Sequence, residues 1–212
     1  MIGRATRFLA LVALAACSNA ANEDDVFVKA LNLGGDKVVP RAQALYDAGA
    51  PRIVIGIPKT DRSAIMVLEA RRDGLETWLS ADGAAVILDR GLLRGTRGLG
   101  AGLLASDVSQ SAALVLAGRE GRATRFHTFL TGTDETVTRT YECRVEDRGA
   151  RTVELGSRQV STRLMAESCN STDQQFVNLY WVDDGDGRIV LSRQWTGDYL
   201  GDISLRAGDS RS

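Results

Sequence analysis

Thr136-Val137-Thr138-Arg139-Thr140-Tyr141-Glu142-Cys143-Arg144-Val145-Glu146 is the most regular stretch of this chain. Val137, Tyr141, Cys143 and Val145 recur at every second position, interrupted only by Arg139. The alternate positions, Thr136, Thr138, Thr140, Glu142, Arg144 and Glu146, are all polar. Successive side chains of an extended backbone point to opposite faces, so the pattern predicts a strand with one packed face and one wet face.

The same grammar continues on both sides. Downstream, Arg151 to Leu155 and Gln159 to Cys169 read as strands, the second bringing Cys169 back toward Cys143. Two longer strands, Phe176 to Val182 and Arg188 to Trp195, flank Asp183-Asp184-Gly185-Asp186-Gly187. That loop resembles a calcium site at first sight. An EF-hand needs acids at alternate positions before its glycine, and here Gly185 and Gly187 occupy the third and fifth positions, so it reads as a hairpin turn. Upstream, Arg52 to Ile57, Ser63 to Arg72, Glu76 to Ala81 and Ala84 to Leu88 are strand-like, separated by Asp73-Gly74, Asp82-Gly83 and Asp89-Arg90-Gly91. Turn signals at such regular spacing predict an antiparallel meander rather than βαβ units. Pro40 followed by Arg41 to Ala48 and Gly49 predicts one short N-terminal helix, with proline at its first position and glycine past its end. Gly95 to Gly102 carries neither the dinucleotide spacing nor a Walker lysine. It reads as a tight connection leading into a helical turn near Leu103 to Val108, with strands resuming beyond Ser111.

The N-terminus has a different character. Arg4 and Arg7 precede an apolar run, Phe8 to Ala16, that ends in Leu14-Ala15-Ala16-Cys17. This charged, apolar, small-residue order is that of a secretory signal, and a cysteine directly after it marks a lipoprotein signal. The run stops near half of the roughly 20 residues a spanning helix needs. The expected organisation is therefore a signal peptide over 1–16, a lipidated tether with the short helix over 17–50, and a single β domain over 51–212. Lipid on Cys17 would be the membrane contact, each buried CH₂ contributing about 0.8 kcal/mol. Ser18, rather than Asp, after the cysteine points to the outer membrane, with the domain facing the periplasm.

Charge and cysteines narrow the function. Hydrophobic residues make up 44% and charged residues 25%, an ordinary soluble balance. Without Arg4 and Arg7 the 26 basic and 27 acidic residues become 24 and 27, a formal charge of −3, which offers nucleic acid no attraction. With Cys17 taken by lipid, Cys143 and Cys169 remain. An even pair in an oxidising compartment predicts a disulfide, the alternative being two free buried thiols. His127 is the only histidine. No metal site and no cofactor are expected, and His127 reads as a strand histidine with a satisfied hydrogen bond rather than a base.

Tyr141-x-Cys143, Glu167-x-Cys169, Asn178-Leu179-Tyr180-Trp181-Val182-Asp183 and Ser192-Arg193-Gln194-Trp195 together resemble the YjbF/GfcB family. Trp78 to Gly83 and Gly91 to Leu99 fit it as well, and the resemblance runs from about Leu68 to Leu205. These are lipoproteins linked to group 4 capsule and exopolysaccharide production. The resemblance implies an all-β fold, a barrel-like or strongly curved antiparallel sheet, and an accessory role with no catalytic residues to carry over. Its partners would be exopolysaccharide or an outer-membrane export protein. Two other readings stand beside it. One is a carrier of a lipid-linked ligand in a barrel cavity, which the two-sided apolar strand Ala84 to Leu88 permits. The other is a polysaccharide-modifying enzyme, which the lone histidine and the lack of a nucleophile elbow disfavour.

The final hairpin supplies a candidate binding face. A five-residue loop pairs Val182 with Arg188 and Trp181 with Ile189, while a four-residue loop shifts that register. The first pairing puts Val177, Leu179, Trp181, Ile189 and Leu191 on an apolar face, and Phe176, Asn178, Tyr180, Ser192 and Gln194 on the other. A ring beside amides and a hydroxyl suits sugar, so Asn178, Tyr180, Ser192 and Gln194 are the candidate contacts. The bland alternative is a face that is solvated or packs on neighbouring strands.

Overall fold

A computed structural model describes residues 38–130 and 135–208. Cys17, the signal segment and most of the tether lie outside the described residues. Helix α1 (Pro40–Asp47) starts on its proline as expected, and Gly49, at φ +73°, ends it. Then come strands β1 (Arg52–Ile57), β2 (Arg62–Arg72), β3 (Leu75–Ser80), β4 (Ala85–Asp89), β5 (Leu92–Arg97) and β6 (Leu103–Asp107). Helix α2 (Ser109–Val115) follows. The second half holds β7 (Gly121–Leu130), β8 (Thr136–Leu155), β9 (Arg158–Asn170), β10 (Gln175–Asp183), β11 (Ile189–Trp195) and β12 (Asp202–Ala207).

All twelve strands form one antiparallel sheet in the order β5-β4-β3-β2-β1-β12-β11-β10-β9-β8-β7-β6. Neighbours in sequence are neighbours in space, and β12 returns to β1 through Ile55–Leu205 and its flanking pairs. The expected meander is therefore a nearly closed barrel. Its seam lies between β5 and β6, where side chains replace the ladder. Ser106 Oγ donates to the Leu93 carbonyl at 2.7 Å and Thr96 Oγ1 to the Leu103 carbonyl at 3.2 Å. Gly95 lets the two backbones close in, since a Cβ there would sit 2.9 Å from the Leu104 carbonyl oxygen.

Three expectations are corrected along the first half. Gly95 to Gly102 is not all connection, because β5 runs to Arg97. Leu103 to Val108 is largely a strand, β6, held by its ladder to β7. The helix comes later, where strands were expected to resume. Asp107 Oδ1 accepts the Ser109 N–H at 2.9 Å, and Val108, Ala112 and Val115 present one fully buried stripe. That stripe packs on Leu92, Val145, Met165, Tyr180 and Val182, so α2 fills one end of the barrel. The two apolar faces of β4 also have a structural cause. Val86 and Leu88 point into the core, whereas Ala85 packs with Val67, Leu79 and Ala42 beneath α1.

Candidate functional site

The final hairpin brings Asn178, Tyr180, Ser192 and Gln194 onto one face, but that face is turned into the barrel. The four are 1%, 0%, 2% and 1% exposed, so they do not form an outer working surface. The register at the turn is that of the four-residue loop rather than the five-residue one, and it turns Ile189 inward with Val182. Val182 pairs with Ile189, a bulge follows, and from Trp181–Leu191 onward Tyr180 opposes Ser192. Asp184 to Gly187 is the turn, with Asp183 Oδ1 at the end of β10 accepting the Gly185 N–H at 2.7 Å. The apolar alternates are covered in part from outside. Trp181 and Leu191 pack against a cluster of Val153, Leu155 and Val160 from the far end of the β8–β9 hairpin, joined by Val190, while Val177 stays 48% exposed.

The inward polar groups bond to one another. Glu167 on β9 gathers four donors: Ser111 Oγ at 2.5 Å on one oxygen, and Arg125 Nη1 at 2.5 Å, Asn178 Nδ2 at 2.9 Å and Tyr180 OH at 2.9 Å on the other. Arg125 Nη1 also donates to the Tyr180 oxygen at 3.1 Å, and Asn178 Oδ1 accepts the Trp195 N–H at 2.8 Å. Arg125 and Glu167 expose 2% and 0% of their side chains. A charge taken this far from water is tolerated only when paired and hydrogen-bonded. Burial by itself lowers the Arg125 pKa, but Glu167 and Tyr180 outweigh it and the net shift is upward. Burial, then the Glu167 charge, pushes the Tyr180 phenol far above its ordinary range. Gln194 reaches across the interior to the seam. Its Oε1 accepts the Leu93 N–H at 2.8 Å, and its Nε2 donates to the Gly91 carbonyl and Ser192 Oγ, both at 2.9 Å.

Next to this network Cys143 and Cys169 oppose each other across β8 and β9, bonded, with Cα atoms 4.1 Å apart. Closing their 26-residue separation is worth about 3.5 kcal/mol in the chain-entropy model. The Glu167 carboxylate lies within 4.8 Å of the sulfurs, but a bridged pair of cysteines has no thiolate to offer a metal. Beyond the bridge comes an aromatic layer. Phe176 and Trp195 stack at 4.5 Å, and His127 sits among Phe129, Tyr141, Phe176 and Trp195 at 5.0–6.0 Å. The expected satisfied histidine is corrected: neither ring nitrogen has a protein hydrogen-bond partner. Burial, with a smaller push from Arg125, drives its pKa down to about 3, so the ring is neutral.

The barrel end opposite α2 opens into a depression of about 200 Å³, lined by Ala101, Phe129, Val137, Arg139, Gln174, Gly197 and Asp198. On the outer wall a trough of about 430 Å³ crosses β2 to β6 and carries Arg72, Arg94 and Arg97. Sequence reasoning missed Ser111, Arg125 and Glu167. The signal was faint but present: Arg125 and His127 alternate with Ala123 and Phe129, which puts polar groups on a packed face, as Arg139 does in β8.

These features define a nearly closed, up-and-down antiparallel barrel whose interior is occupied by aliphatic, polar and aromatic clusters. The profile of the family described as group 4 capsule polysaccharide lipoprotein, GfcB/YjbF, matches residues 24–207, and the chain belongs to that family. It is also similar to a solved structure, the hypothetical lipoprotein YmcC from Escherichia coli K12. The two share 23% identity over 74% of this chain and 86% of that one, with a TM-score of 0.67, a likeness of fold. No curated protein matches the chain.

Proposed function

We propose that this capsule-family lipoprotein is a non-catalytic accessory factor, held in the outer membrane by lipid on Cys17, that contacts exopolysaccharide or its export partner in the periplasm. The observation that carries this reading is the occupied interior. The groups capable of chemistry inside it, Arg125, Glu167, Asn178, Tyr180 and Gln194, are bonded to one another or to backbone. What remains for a partner is the outside of the barrel and its open end. A carrier would need an empty apolar cavity, and the inward positions hold Tyr141, Tyr180, Met66 and Met165, all with 0% exposure. A general base must reach substrate within hydrogen-bond distance, and His127 is wholly enclosed. The outward positions of β8 are Thr138, Thr140, Glu142 and Arg144, all exposed, which is the reverse of the apolar band a membrane-spanning barrel presents. Anchoring therefore falls to the lipid. Deleting the gene and measuring surface polysaccharide tests the proposal: output should fall and return on complementation. Unchanged output would remove it.

A further inference from the structure

The one irregularity in the chain's most regular strand is Arg139, a guanidinium where the alternation calls for an apolar side chain. The structure places it at the open end of the barrel, on the wall of the 200 Å³ depression. There it pairs with Asp173 at 2.5 Å. Beside it runs a chain of planar polar groups. Tyr141 OH donates to Gln174 Oε1 at 2.5 Å, and Gln174 Nε2 donates to Asp198 Oδ2 at 2.7 Å. Lys59 Nζ ties the Asp198 carbonyl at 2.7 Å.

The floor and rim are built to fixed positions. Phe129 rests edge-on against Trp195 at 5.8 Å. Gly197, at φ +120°, makes room for it, since a Cβ there would meet its Cε1 at 3.1 Å. Outside the lining, and next in the chain to Asp198, Tyr199 is 62% exposed, and its ring lies on Gly100, where a Cβ would come within 2.6 Å of Cε1. The ring is thus seated from one side and offered to solvent on the other. The glycine-rich segment, which matches no phosphate loop, provides that seat.

We propose that this mouth is a sugar-binding site, taking one neutral ring of a polysaccharide against Tyr199, with Arg139, Asp173, Gln174 and Asp198 as partners for its hydroxyls. A sugar ring has an apolar C–H face that stacks on an aromatic ring and an edge of hydroxyls that pairs with donors and acceptors. The depression supplies the polar groups beside Phe129 and Val137, and the exposed Tyr199 ring follows Asp198 of its lining, the polar-plus-apolar composition of small-ligand pockets. A guanidinium carries five donors in a fixed fork and a carboxylate only acceptors, so Arg139 beside Asp173 addresses both ends of a hydroxyl pair. The charges balance, Lys59 and Arg139 against Asp173 and Asp198, which favours an uncharged ligand over an acidic one. The site rests on the functional reading above and names the ligand class for it.

The test uses the full-length lipidated protein in detergent, with saturation-transfer NMR to three polymers: surface polysaccharide purified from the parent strain, neutral dextran and acidic polygalacturonate. Transfer to ring protons of neutral sugars is expected. It should fall at least fivefold in Tyr199→Ala and persist in Tyr199→Phe, with thermal unfolding unchanged in both. Absence of transfer to any polymer, preference for polygalacturonate, or an unaltered signal in Tyr199→Ala would overturn the site. In cells, a deletion strain complemented with Tyr199→Ala should remain low in surface polysaccharide. If it recovers fully, the site falls while the accessory role stands. A deletion that never lowers output removes the accessory role, and the NMR result then decides the site alone.

Discussion

Glu167 shows how much one residue can hold together. Four donors from α2, β7 and β10 converge on its carboxylate, so removing its charge strands Arg125 in the core. Breaking one side of a buried pair costs about 3–5 kcal/mol, and Glu167→Gln should lower the melting temperature by roughly 10 °C. Pairing Glu167→Leu with Arg125→Met should recover part of that loss, because the charge left behind is what is penalised. Calorimetry of the parent and the two variants checks both statements. His127 acts through the unfolded state instead. Its folded pKa of about 3 lies below the ordinary 6.5, so below pH 6.5 the unfolded chain binds a proton that the folded chain refuses. The His127 contribution is therefore fully present above pH 6.5 and is lost as the pH falls toward 3, with a slope approaching about 1.4 kcal/mol per pH unit. Denaturant midpoints at pH 7 and pH 5 should separate in the parent, and His127→Phe should narrow that gap.

At the scale of elements, the seam between β5 and β6 is where the barrel depends on side chains. Gln194→Leu would leave the Leu93 N–H and the Gly91 carbonyl without the partners they now have. An unsatisfied buried group costs about 1–3 kcal/mol, so hydrogen exchange should speed at the Leu93 amide while amides in the β8–β9 ladder stay protected. Equal acceleration in both places would mean that Gln194 holds the whole barrel rather than its seam. The seam is also where sequence reading fails. Strands with clean alternation or firm turns, such as Arg52–Ile57 and Thr136–Glu146, are legible because period two and Asp-Gly turns are local signals. β5 and β6 are not, because Gly95 sits inside β5, glycines 98, 100 and 102 crowd the connection between them, and β6 finds its partner β7 only beyond α2. α2 is only seven residues long, its N-cap is Val108 with no side-chain cap, and the Asp107 carboxylate that accepts the Ser109 N–H lies before it. Nor can local hydropathy choose the inward face of β10 and β11. Asn178 and Tyr180 point inward because Ser111, Arg125 and Glu167 arrive from other elements to satisfy them, and Trp181 and Leu191 tolerate the outside because the β8–β9 hairpin covers them.

For the whole molecule, the polar outer face of its longest strand bears on how it meets a membrane. Outward residues such as Thr140, Glu142 and Arg144 are exposed to water, and placing charges like these in hydrocarbon at the bilayer midplane costs about 2–4 kcal/mol for each basic residue. The barrel gains nothing from entering a bilayer. No helix among the described residues is long and apolar enough to cross one. In the proposed reading attachment rests on Cys17, where two acyl chains at about 0.8 kcal/mol per buried CH₂ would give stable anchoring without help from the fold. Cys17→Ser should therefore separate two properties that the native protein combines. The barrel itself should be unaffected, with the same melting temperature, because the core clusters among the described residues are built from Val39 onward. The anchor should be lost. Fractionation should find the variant as an uncleaved precursor or in the soluble periplasmic fraction, and surface polysaccharide should fall although folded protein is present. Retention in the outer membrane at the parent level would show that a protein contact, and not lipid, holds the molecule there.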